Sequence, residues 1–504
     1  MNIQSFLEHH GIIRNPFAEE DAQTDQVFKE HCISSAYHPI WDKVYGDPSE
    51  PSTSIIFGPK GSGKTAMRLQ IDRHLMRYSD EHPKQRVFVI RYDDFNPFLD
   101  HFCERMSRRT NRKPEKVLDA WRLWDHMDSI LCLGVTDLVD RILHPETGPP
   151  SEAISKEAIR NLDRTSARDM LLLAASYDQS TASTFTGRWN ELRRTLRYGN
   201  FASMWSMVAA ILSLLIAVLL VAWLFLRDWG VDEAGEAIKV SPHALWLIPI
   251  ITLIGSAPFL VKTIKCQMAA LGIRRHMRVG KRETGSLRKV LQKFPSKELA
   301  SQPLPRFDRT DDRYELLNKF QAILQRLGFE GVIVLVDRID EPHMTGGKPE
   351  LMQRFVWPLL DNKLLKHPGI GFKVMLPQEL HRDIERETRD FHERARLDKQ
   401  NVIPAFQWSG ESLYDLARAR MLACAAEGAS PEPKDLFSED VSYERMLSAF
   451  QSLRVPRHLF RFLFRVLVEH CNRHTDAQPV YKISGETFES TLALYNRETE
   501  MSNA

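Results

Sequence analysis

The sequence lacks several features that identify common classes of protein. Its six cysteines include no C-x-x-C pair, which argues against a disulfide framework or a zinc site and favours reduced thiols. Its 68 basic residues nearly balance its 66 acidic ones, so the overall basic excess of a general nucleic-acid binder is missing. The first residues do not show the pattern of a signal peptide, and we expect a chain that starts in the cytosol. With 504 residues, it is long enough for several domains.

Two long uncharged runs lie near the middle of the chain, at 201–226 and 244–261. A helix of about 20 apolar residues crosses the hydrocarbon core of a membrane, so the first run is long enough. The second run is shorter and carries Pro249, Gly255 and Pro258, which membrane helices tolerate better than soluble ones. A buried core helix is the alternative for each run. Joined by the loop 227–243, the pair predicts a transmembrane hairpin.

The charges beside these runs predict an orientation. Basic residues precede the first run and follow the second: Arg188, Arg193, Arg194, Arg197, Lys262, Lys265, Arg274, Arg275, Arg278, Lys281 and Arg282. The loop between the runs holds two basic and four acidic residues. Because basic flanks stay in the cytoplasm, we expect a protein of the cell (inner) membrane with two spans and both termini cytoplasmic. The basic stretch 274–293 is expected either to bind anionic lipid headgroups or to form a solvated helix face.

A phosphate-binding loop is predicted by "TSIIFGPKGSGKTAMRLQID", which joins an apolar β-branched run, a glycine-rich loop and a helix-compatible segment. The loop matches the Walker A pattern G-x-x-x-x-G-K-[ST], in which glycines let backbone N–H groups point at phosphate oxygens. The helix that follows adds its positive N-terminal end. Lys64 is expected to reach the β- and γ-phosphates, and Thr65 to place its hydroxyl on Mg²⁺. The predicted nucleotide-binding residues of the loop are Gly58, Pro59, Lys60, Gly61, Ser62, Gly63, Lys64 and Thr65.

The run "GVIVLVDRIDE", at 331–341, predicts the Walker B strand that such a loop needs. A continuous apolar run suits a central parallel strand that is buried on both faces. Asp337 is expected to hold the magnesium shell, and Asp340 or Glu341, preferably Glu341, to position or deprotonate the attacking water. Alternatively, these acids cap the next segment or pair with Arg338.

Two further runs, 86–95 and 370–380, predict additional strands of the same sheet. Gln378 lies just past the second of these strands and is either a γ-phosphate contact or a polar loop residue. The guanine-selecting motif N-K-x-D is absent at both Asn-Lys sites, so we expect ATP rather than GTP.

Thr65 and Asp337 are 272 positions apart, and the predicted hairpin lies between them. A P-loop ATPase with transmembrane helices inserted between Walker A and Walker B resembles the KAP family of P-loop NTPases. The D-x-x-D-E spacing of 337–341 departs from the paired acids of many KAP proteins and looks more like NACHT-type signalling ATPases. The segment "LRVPRHLFRF" resembles a sensor-2 segment, which implies that Arg457 contacts phosphate. A surface arginine at the start of an amphipathic helix is the alternative.

This resemblance implies an α/β fold: a P-loop core with a parallel sheet and helices on both faces, an inserted helical region with two transmembrane helices, and a C-terminal helical lid. The expected divisions are an N-terminal segment (1–50), the first part of the core (51–100), a helical insertion (101–200), the hairpin (201–261), a basic juxtamembrane helix and linker (262–310), the second part of the core (311–405) and the lid (406–504).

The expected function is that of a membrane-anchored ATPase that binds and hydrolyses ATP with Mg²⁺ as a conformational or assembly switch. The resemblance implies a role in bacterial defence or signalling. The expected partners are membrane lipid, further copies of this chain and an unidentified protein effector, with no strong indication of nucleic acid. The alternatives are a membrane-associated motor acting on DNA or protein, and a scaffold that binds nucleotide without hydrolysing it. The predicted spans contain no ionisable residue, which argues against transport.

Overall fold

The computed structural model describes residues 1–34, 36–106, 113–146, 149, 152–199, 201–228 and 242–503. Within these residues, five strands form one sheet in the order β2-β3-β4-β1-β5, and every neighbouring pair is parallel. The strands are β1 (Ser54–Gly58), β2 (Arg86–Tyr92), β3 (Phe329–Val336), β4 (Ile370–Pro377) and β5 (Asn401–Ile403). The prediction of an α/β fold with a parallel sheet is therefore confirmed.

The register of the sheet brings distant parts of the chain to one edge. Gly58 at the end of β1 pairs with Pro377 of β4, and Val336 at the end of β3 pairs with Val374 of the same strand. Since β4 lies between β1 and β3, the segments that follow β1 and β3 emerge one strand apart. β3 and β4 are buried almost throughout, as expected for central strands covered on both faces.

One face of the sheet is covered by helices from between β2 and β3. Residues from β2, β3 and β4 share a hydrophobic core with these helices. The chain between β2 and β3 contains α4 (Asn96–Arg105), α5 (Pro114–Ala120), α6 (Leu123–Leu143), α7 (Lys156–Arg160), α8 (Arg164–Tyr177), α9 (Phe185–Thr195), α10 (Phe201–Asp228), α11 (Pro242–His276), α12 (Thr284–Leu291), α13 (Ser296–Ala300) and α14 (Asp311–Arg326), of which α10 contributes no residue to this core. The predicted helical insertion (101–200) thus packs on the sheet through α6, beside α14 from the predicted second part of the core.

The other face is covered by the N-terminal segment, the helix after β1 and the C-terminal helices, which share a second hydrophobic core with β1, β2, β3 and β4. The N-terminal part contains α1 (Ile3–His9), a π-helical turn (Phe28–Cys32) and α2 (Trp41–Tyr45), and α3 (Lys64–Glu81) follows β1. After β3 come α15 (Pro349–Val356), α16 (Asn362–Leu365), α17 (Glu379–Glu385) and α18 (Arg389–Ala395), whose buried residues belong to the first core. The C-terminal helices of the second core are α19 (Gly410–Ala423), α20 (Tyr443–Leu453), α21 (Pro456–Arg473) and α22 (Gly485–Asn503), and 3-10 turns lie at Leu397–Lys399 and Pro433–Leu436.

Among the described residues, one helix is long and apolar enough to cross a membrane. It is α10, in which Trp205–Trp223 has a mean hydropathy of 2.6 and only 11% of the segment is buried by the rest of the chain. The predicted connecting loop lies outside the described residues between 229 and 241. α11 packs along α10, and the two helices approach closely at Gly255. A Cβ at that position would lie 2.2 Å from the Cβ of Ser213.

α11 continues for more than a turn past the apolar run, and its C-terminal part joins the core that covers the sheet. Cys266, Ala269 and Ile273 are buried there. Part of the basic stretch 274–293 therefore makes contacts inside the folded protein. Neither lipid binding nor a solvated helix face, the two roles expected from the sequence, predicted these contacts. Arg278 pairs with the buried Asp125 of α6, with Nε 3.0 Å from Oδ1. Arg282 is buried and donates through Nε to the Ala175 carbonyl at 3.0 Å.

Candidate functional site

A cavity of about 400 Å³ opens at the edge of the sheet where the strands end. Its walls come from the loop between β1 and α3, the segments after β3 and β4, the N-terminal segment and the helices α19 and α21. Such a volume is in the range of small-molecule sites. The cavity therefore brings parts of the chain that are distant in sequence to one place.

The loop between β1 and α3 turns through two glycines in left-handed conformations. The φ angle is 83° at Gly61 and 96° at Gly63, a region that residues with a Cβ rarely adopt. A Cβ on Gly61 would also lie 2.7 Å from the Cβ of Arg457, which begins α21 with Pro456. The backbone N–H of Arg457 donates to the Gly61 carbonyl at 3.3 Å. The C-terminal helices are thus seated directly on the loop.

Lys64 is the first residue of α3, and its side chain folds back over the loop. Nζ donates to the carbonyls of Gly58 at 2.7 Å and Pro59 at 3.0 Å. Burial lowers the pKa of Lys64, whereas the nearby carboxylates of Asp337, Asp340 and Glu379 act to raise it. The ammonium group is therefore held at the closed end of the loop, facing carboxylates from the ends of β3 and β4.

Asp337 follows β3 directly and is buried at the edge of the cavity. Its Oδ2 lies 3.3 Å from Nε of Arg68, and the same guanidinium reaches Asp93, with Nη1 3.1 Å from Oδ2. Burial raises the pKa of Asp337, opposed mainly by the charge of Arg68 and by hydrogen bonding to Thr65. Among the described residues Oδ2 makes no hydrogen bond, so the ion pair with Arg68 is its main compensation.

Asp340 and Glu341 both line the cavity, but they lie in different surroundings. Glu341 is more than half exposed, and its Oε1 lies 3.3 Å from Nε of Arg338. Burial is the largest influence that raises the pKa of Glu341, opposed by Arg338. Arg338 itself has a φ of 63°, a strained backbone turn for a side chain with a Cβ. Asp340, unlike Glu341, is among the main charges acting on Lys64.

Gln378 and Arg457 have different relations to the cavity. Arg457 lines the cavity, with Nε 3.9 Å from Oε2 of Glu20, a residue of the N-terminal segment. Gln378 does not line it. Its side-chain amide donates to the Pro404 carbonyl at 2.8 Å, beyond the end of β5, while its backbone N–H donates to the Gly58 carbonyl at 3.1 Å. Gln378 therefore supports the start of the loop from the side.

Part of the cavity wall is apolar and is made by residues that the sequence analysis did not single out. Phe28, Met67, Leu416 and Phe460 line it together with the aromatic pair Phe406 and Trp408. Their contributions come from the N-terminal segment, α3, the segment after β5, α19 and α21. In the sequence, the only indication of these residues is the aromatic segment "FQW", at 406–408 after the last strand. The N-terminal part carries no recognisable motif.

Hydrogen bonds tie this apolar part of the cavity wall to the loop. The indole of Trp408 donates to the Ser62 carbonyl at 2.8 Å, and the backbone N–H of Phe406 donates to the Phe57 carbonyl at 2.7 Å. His38 stacks on Phe406 with ring centroids 4.2 Å apart, and burial lowers the pKa of this imidazole. The apolar part of the cavity wall is therefore attached directly to the loop and to the end of β1.

A cationic side chain also lines the cavity. Arg420 of α19 is buried, donates through Nε to the Pro16 carbonyl at 2.7 Å and pairs with Asp25. Its Nη2 is buried and has no hydrogen-bond partner within the described part of the chain. One N–H group of this guanidinium is therefore free to donate to a ligand.

The described residues contain no group of three or more His, Cys, Asp or Glu side chains arranged to hold a metal ion. Mg²⁺ does not need such a cage, because it is commonly held by one or two carboxylates together with substrate phosphates and water. The oxygen donors beside the loop, Thr65 and Asp337, are chemically suited to that mode. Comparison of the chain with known proteins found no matching family model, no matching curated protein and no matching solved structure.

Proposed function

We propose that this protein is a membrane-anchored ATPase of the KAP-like P-loop type, which binds and hydrolyses ATP as a conformational or assembly switch. The observation that carries the proposal is the meeting of Lys64, Thr65 and Asp337 at one cavity. Thr65 and Asp337 are 272 positions apart in sequence, and they converge because β1 and β3 end at the same edge of the sheet with only β4 between them.

The loop supplies the phosphate-binding end of the site. Gly61 and Gly63 allow the left-handed turns that direct backbone N–H groups inward, and the N-terminus of α3 adds its partial positive charge. Lys64 exchanges its contacts to the Gly58 and Pro59 carbonyls for the β- and γ-phosphates. The neighbouring carboxylates act to raise the pKa of this buried ammonium, against the effect of burial, and so favour the protonated form that the contact with phosphate requires.

Thr65 and Asp337 would hold Mg²⁺. Asp337 fits this role, because its buried carboxylate lies at the edge of the cavity and its Oδ2 makes no hydrogen bond among the described residues. When bound, the ion neutralises charge that develops on the phosphate oxygens. Arg68 favours the ionised form of Asp337, against the effect of burial on its pKa, and orients the carboxylate through the contact at 3.3 Å.

The acid that orients the attacking water belongs to the carboxylates around Lys64. Glu341 is the acid that the sequence favoured, but its carboxylate lies 3.3 Å from Nε of Arg338, and this ion pair partly neutralises its charge. Asp340 and Glu379 act more strongly on Lys64. We propose Asp340 as the first candidate, with Glu341 and Glu379 as the other two residues to be tested.

The apolar part of the cavity wall suits the adenine ring. A flat aromatic base packs well against Phe406, Trp408 and Phe460. The free Nη2 of Arg420 matches a base with ring-nitrogen acceptors, which adenine presents. In this arrangement the helices α19 and α21 form a lid, since they contribute to the apolar part of the cavity wall and, through Arg457, contact the loop.

The membrane anchor consists of α10 and α11 as a hairpin. α10 meets the requirements of a span by itself, and α11 packs along it through Gly255. Two spans return the chain to the side from which it came, so that β1 and β3 can join one sheet. The basic residues that flank both apolar runs place that side in the cytoplasm. Nucleotide-driven assembly of several copies would complete the switch.

The test is the rate of phosphate release from ATP by detergent-purified protein, comparing wild type with Lys64→Ala and with Lys84→Ala, an exposed lysine in the turn after α3. We expect activity to fall at least about 100-fold in Lys64→Ala, which is on the order of the effect of losing one electrostatic contact to the transition state. Activity should be unchanged in Lys84→Ala. Equal activity in all three proteins would contradict the assigned site.

Two further results separate the alternatives. ATP binding without hydrolysis in wild type would favour a nucleotide-binding scaffold. Strong stimulation of hydrolysis by DNA would favour a motor. Asp340→Asn, Glu341→Gln and Glu379→Gln, measured in the same assay, identify the acid as the variant that binds ATP normally but loses hydrolysis.

A further inference from the structure

A second cavity, of about 580 Å³, lies outside the candidate nucleotide site, where the end of α6, α7 and the end of α9 meet. Buried Ile142 and Ile159 line its inner part. Its outer part carries four exposed basic side chains: Lys156, Arg160, Arg194 and Arg197. We call this cavity the basic groove.

The positive charge of the basic groove is not neutralised within the described residues. None of its four basic side chains forms an ion pair or a side-chain hydrogen bond in the part of the chain that the structure describes, and Glu146 is the one acidic residue that lines the groove. Glu152, nearby in sequence, is engaged elsewhere, because it lies 3.3 Å from Arg91 and 3.2 Å from Arg141. A phosphate group is a suitable counter-charge for such a site, since arginine binds phosphate through paired N–H groups.

The basic groove lies next to the proposed membrane boundary. Arg197 precedes the start of α10 by four residues, and the apolar span begins at Trp205. On the other helix, Thr263 follows the end of the apolar run by two residues and accepts a hydrogen bond from Gln292 at 3.1 Å. The next residue, Lys293, contacts Asn190 of α9. α9 is therefore held beside the point where the second apolar run ends.

We infer that the basic groove binds the phosphate headgroup of an anionic membrane lipid. This inference rests on the proposed membrane attachment, and it differs from the expected role of the stretch 274–293, where Arg278 and Arg282 are used by the fold. The basic side chains match the charge of the headgroup. The apolar inner part suits the glycerol and the first methylenes of the chains, a combination that a free phosphate ion would not use.

The experiment places the full chain in nanodiscs of phosphatidylcholine with a small fraction of phosphatidylglycerol and counts, by native mass spectrometry, the anionic lipids that remain bound after the disc is removed. Wild type is compared with Arg160→Ala/Arg194→Ala and with the control Arg389→Ala/Arg445→Ala, two exposed arginines of α18 and α20. Each basic residue near an anionic surface contributes about fivefold in affinity. We expect roughly 25-fold weaker retention in the groove variant, normal retention in the control and substantial recovery in Arg160→Lys/Arg194→Lys.

The outcomes separate this inference from the function on which it rests. A wild-type chain that does not enter nanodiscs would contradict the membrane attachment, and the lipid site with it. A chain that enters them but retains phosphatidylglycerol equally in both double variants would contradict the basic groove alone. Displacement of the lipid by millimolar inorganic phosphate would indicate a small-anion site instead. Binding of a short DNA duplex that is lost in the groove variant, with lipid retention unchanged, would assign the groove to nucleic acid.

Discussion

Nε of Arg68 lies 3.3 Å from Oδ2 of Asp337, and both side chains are almost completely buried. Arg68 is one turn after Lys64 in α3, so the two cations lie on the same face of that helix. The same guanidinium contacts Asp93, which follows β2. One arginine therefore joins the helix after the loop to the ends of two strands, and it does so at the carboxylate proposed to hold Mg²⁺.

Arg68→Ala is expected to destabilise the protein and to abolish hydrolysis, because it leaves the buried Asp337 carboxylate without a compensating charge. Removing one partner of a buried pair costs about 3–5 kcal/mol. The measurement is the thermal midpoint of the detergent-purified protein, together with phosphate release. Asp93→Asn is the matched control, since Asp93 is one-quarter exposed, and it should lower the midpoint much less. Equal midpoints for the two variants would mean that Arg68 does not stabilise Asp337.

Lys373→Met is expected to stabilise the protein near neutral pH. Lys373 of β4 is fully buried, its nearest polar partner being Ser54 Oγ at 3.4 Å, and burial lowers its pKa to about 8 from 10.5. Below about pH 8 the folded protein must bury a charged ammonium, at a cost of about 3 kcal/mol. Between the two pKa values the unfolded chain binds more protons than the folded one, so the stability of the wild type rises with pH over that interval.

The measurement is the thermal midpoint of wild type and Lys373→Met between pH 7 and pH 10.5. The advantage of the variant should be largest at pH 7 and should shrink as the pH approaches the upper value. Lys366→Met, at an exposed position nearby in sequence, should show no such trend. A constant advantage at all pH values would point to packing rather than to charge burial.

Gly61→Ala is expected to weaken ATP binding by roughly tenfold or more. The φ of 83° costs an alanine about 1–2 kcal/mol, and its Cβ would lie 2.7 Å from the Cβ of Arg457. The measurement is the dissociation constant for ATP by calorimetry. Gly428→Ala controls for the backbone alone, because Gly428 has a φ of 82° and no neighbour within 4 Å of a built Cβ. Similar affinities in both variants would show that the contact with Arg457 is unimportant.

The proposed two-span topology predicts that the segment 229–241, which lies outside the described residues, faces the non-cytoplasmic side. Ala234→Cys should therefore react with a membrane-impermeant maleimide in intact cells, whereas Glu486→Cys in α22 should react only after lysis. The parent protein controls for its own cysteines, five of which are buried. Labelling of both positions only after lysis would contradict a hairpin that crosses the membrane.

The features that the sequence predicted well are those written in consecutive residues. The glycine-rich pattern at 58–65 predicted a turn between a strand and a helix, and such a turn joins β1 to α3. The apolar runs before Asp337 and Gln378 predicted strands, and they form β3 and β4 of the parallel sheet. The role of Arg68 was not predictable, because a single arginine in a helix carries no pattern and its partners lie in two distant strands. Arg278 looked like part of a basic surface, whereas its partner Asp125 lies 153 positions earlier in the chain.

The apolar part of the cavity wall was not predicted, for the same physical reason. Phe28, Phe406 and Phe460 come from parts of the chain that share no motif, and ordinary apolar residues are more often used in a core. Only the packing of the N-terminal segment and the C-terminal helices against the same sheet face makes them neighbours. A pocket built from side chains of separate elements therefore depends on tertiary structure.

The most direct test of the nucleotide site is the effect of Mg²⁺ on ATP affinity, measured by calorimetry with Mg²⁺ or with EDTA, in wild type and in Asp337→Asn. If the loop and Asp337 form one site, wild type binds ATP more tightly with Mg²⁺. The variant then retains the Mg²⁺-free affinity and loses most of the Mg²⁺ effect. An unchanged Mg²⁺ effect in Asp337→Asn, or no ATP binding by wild type under either condition, would contradict the proposed site.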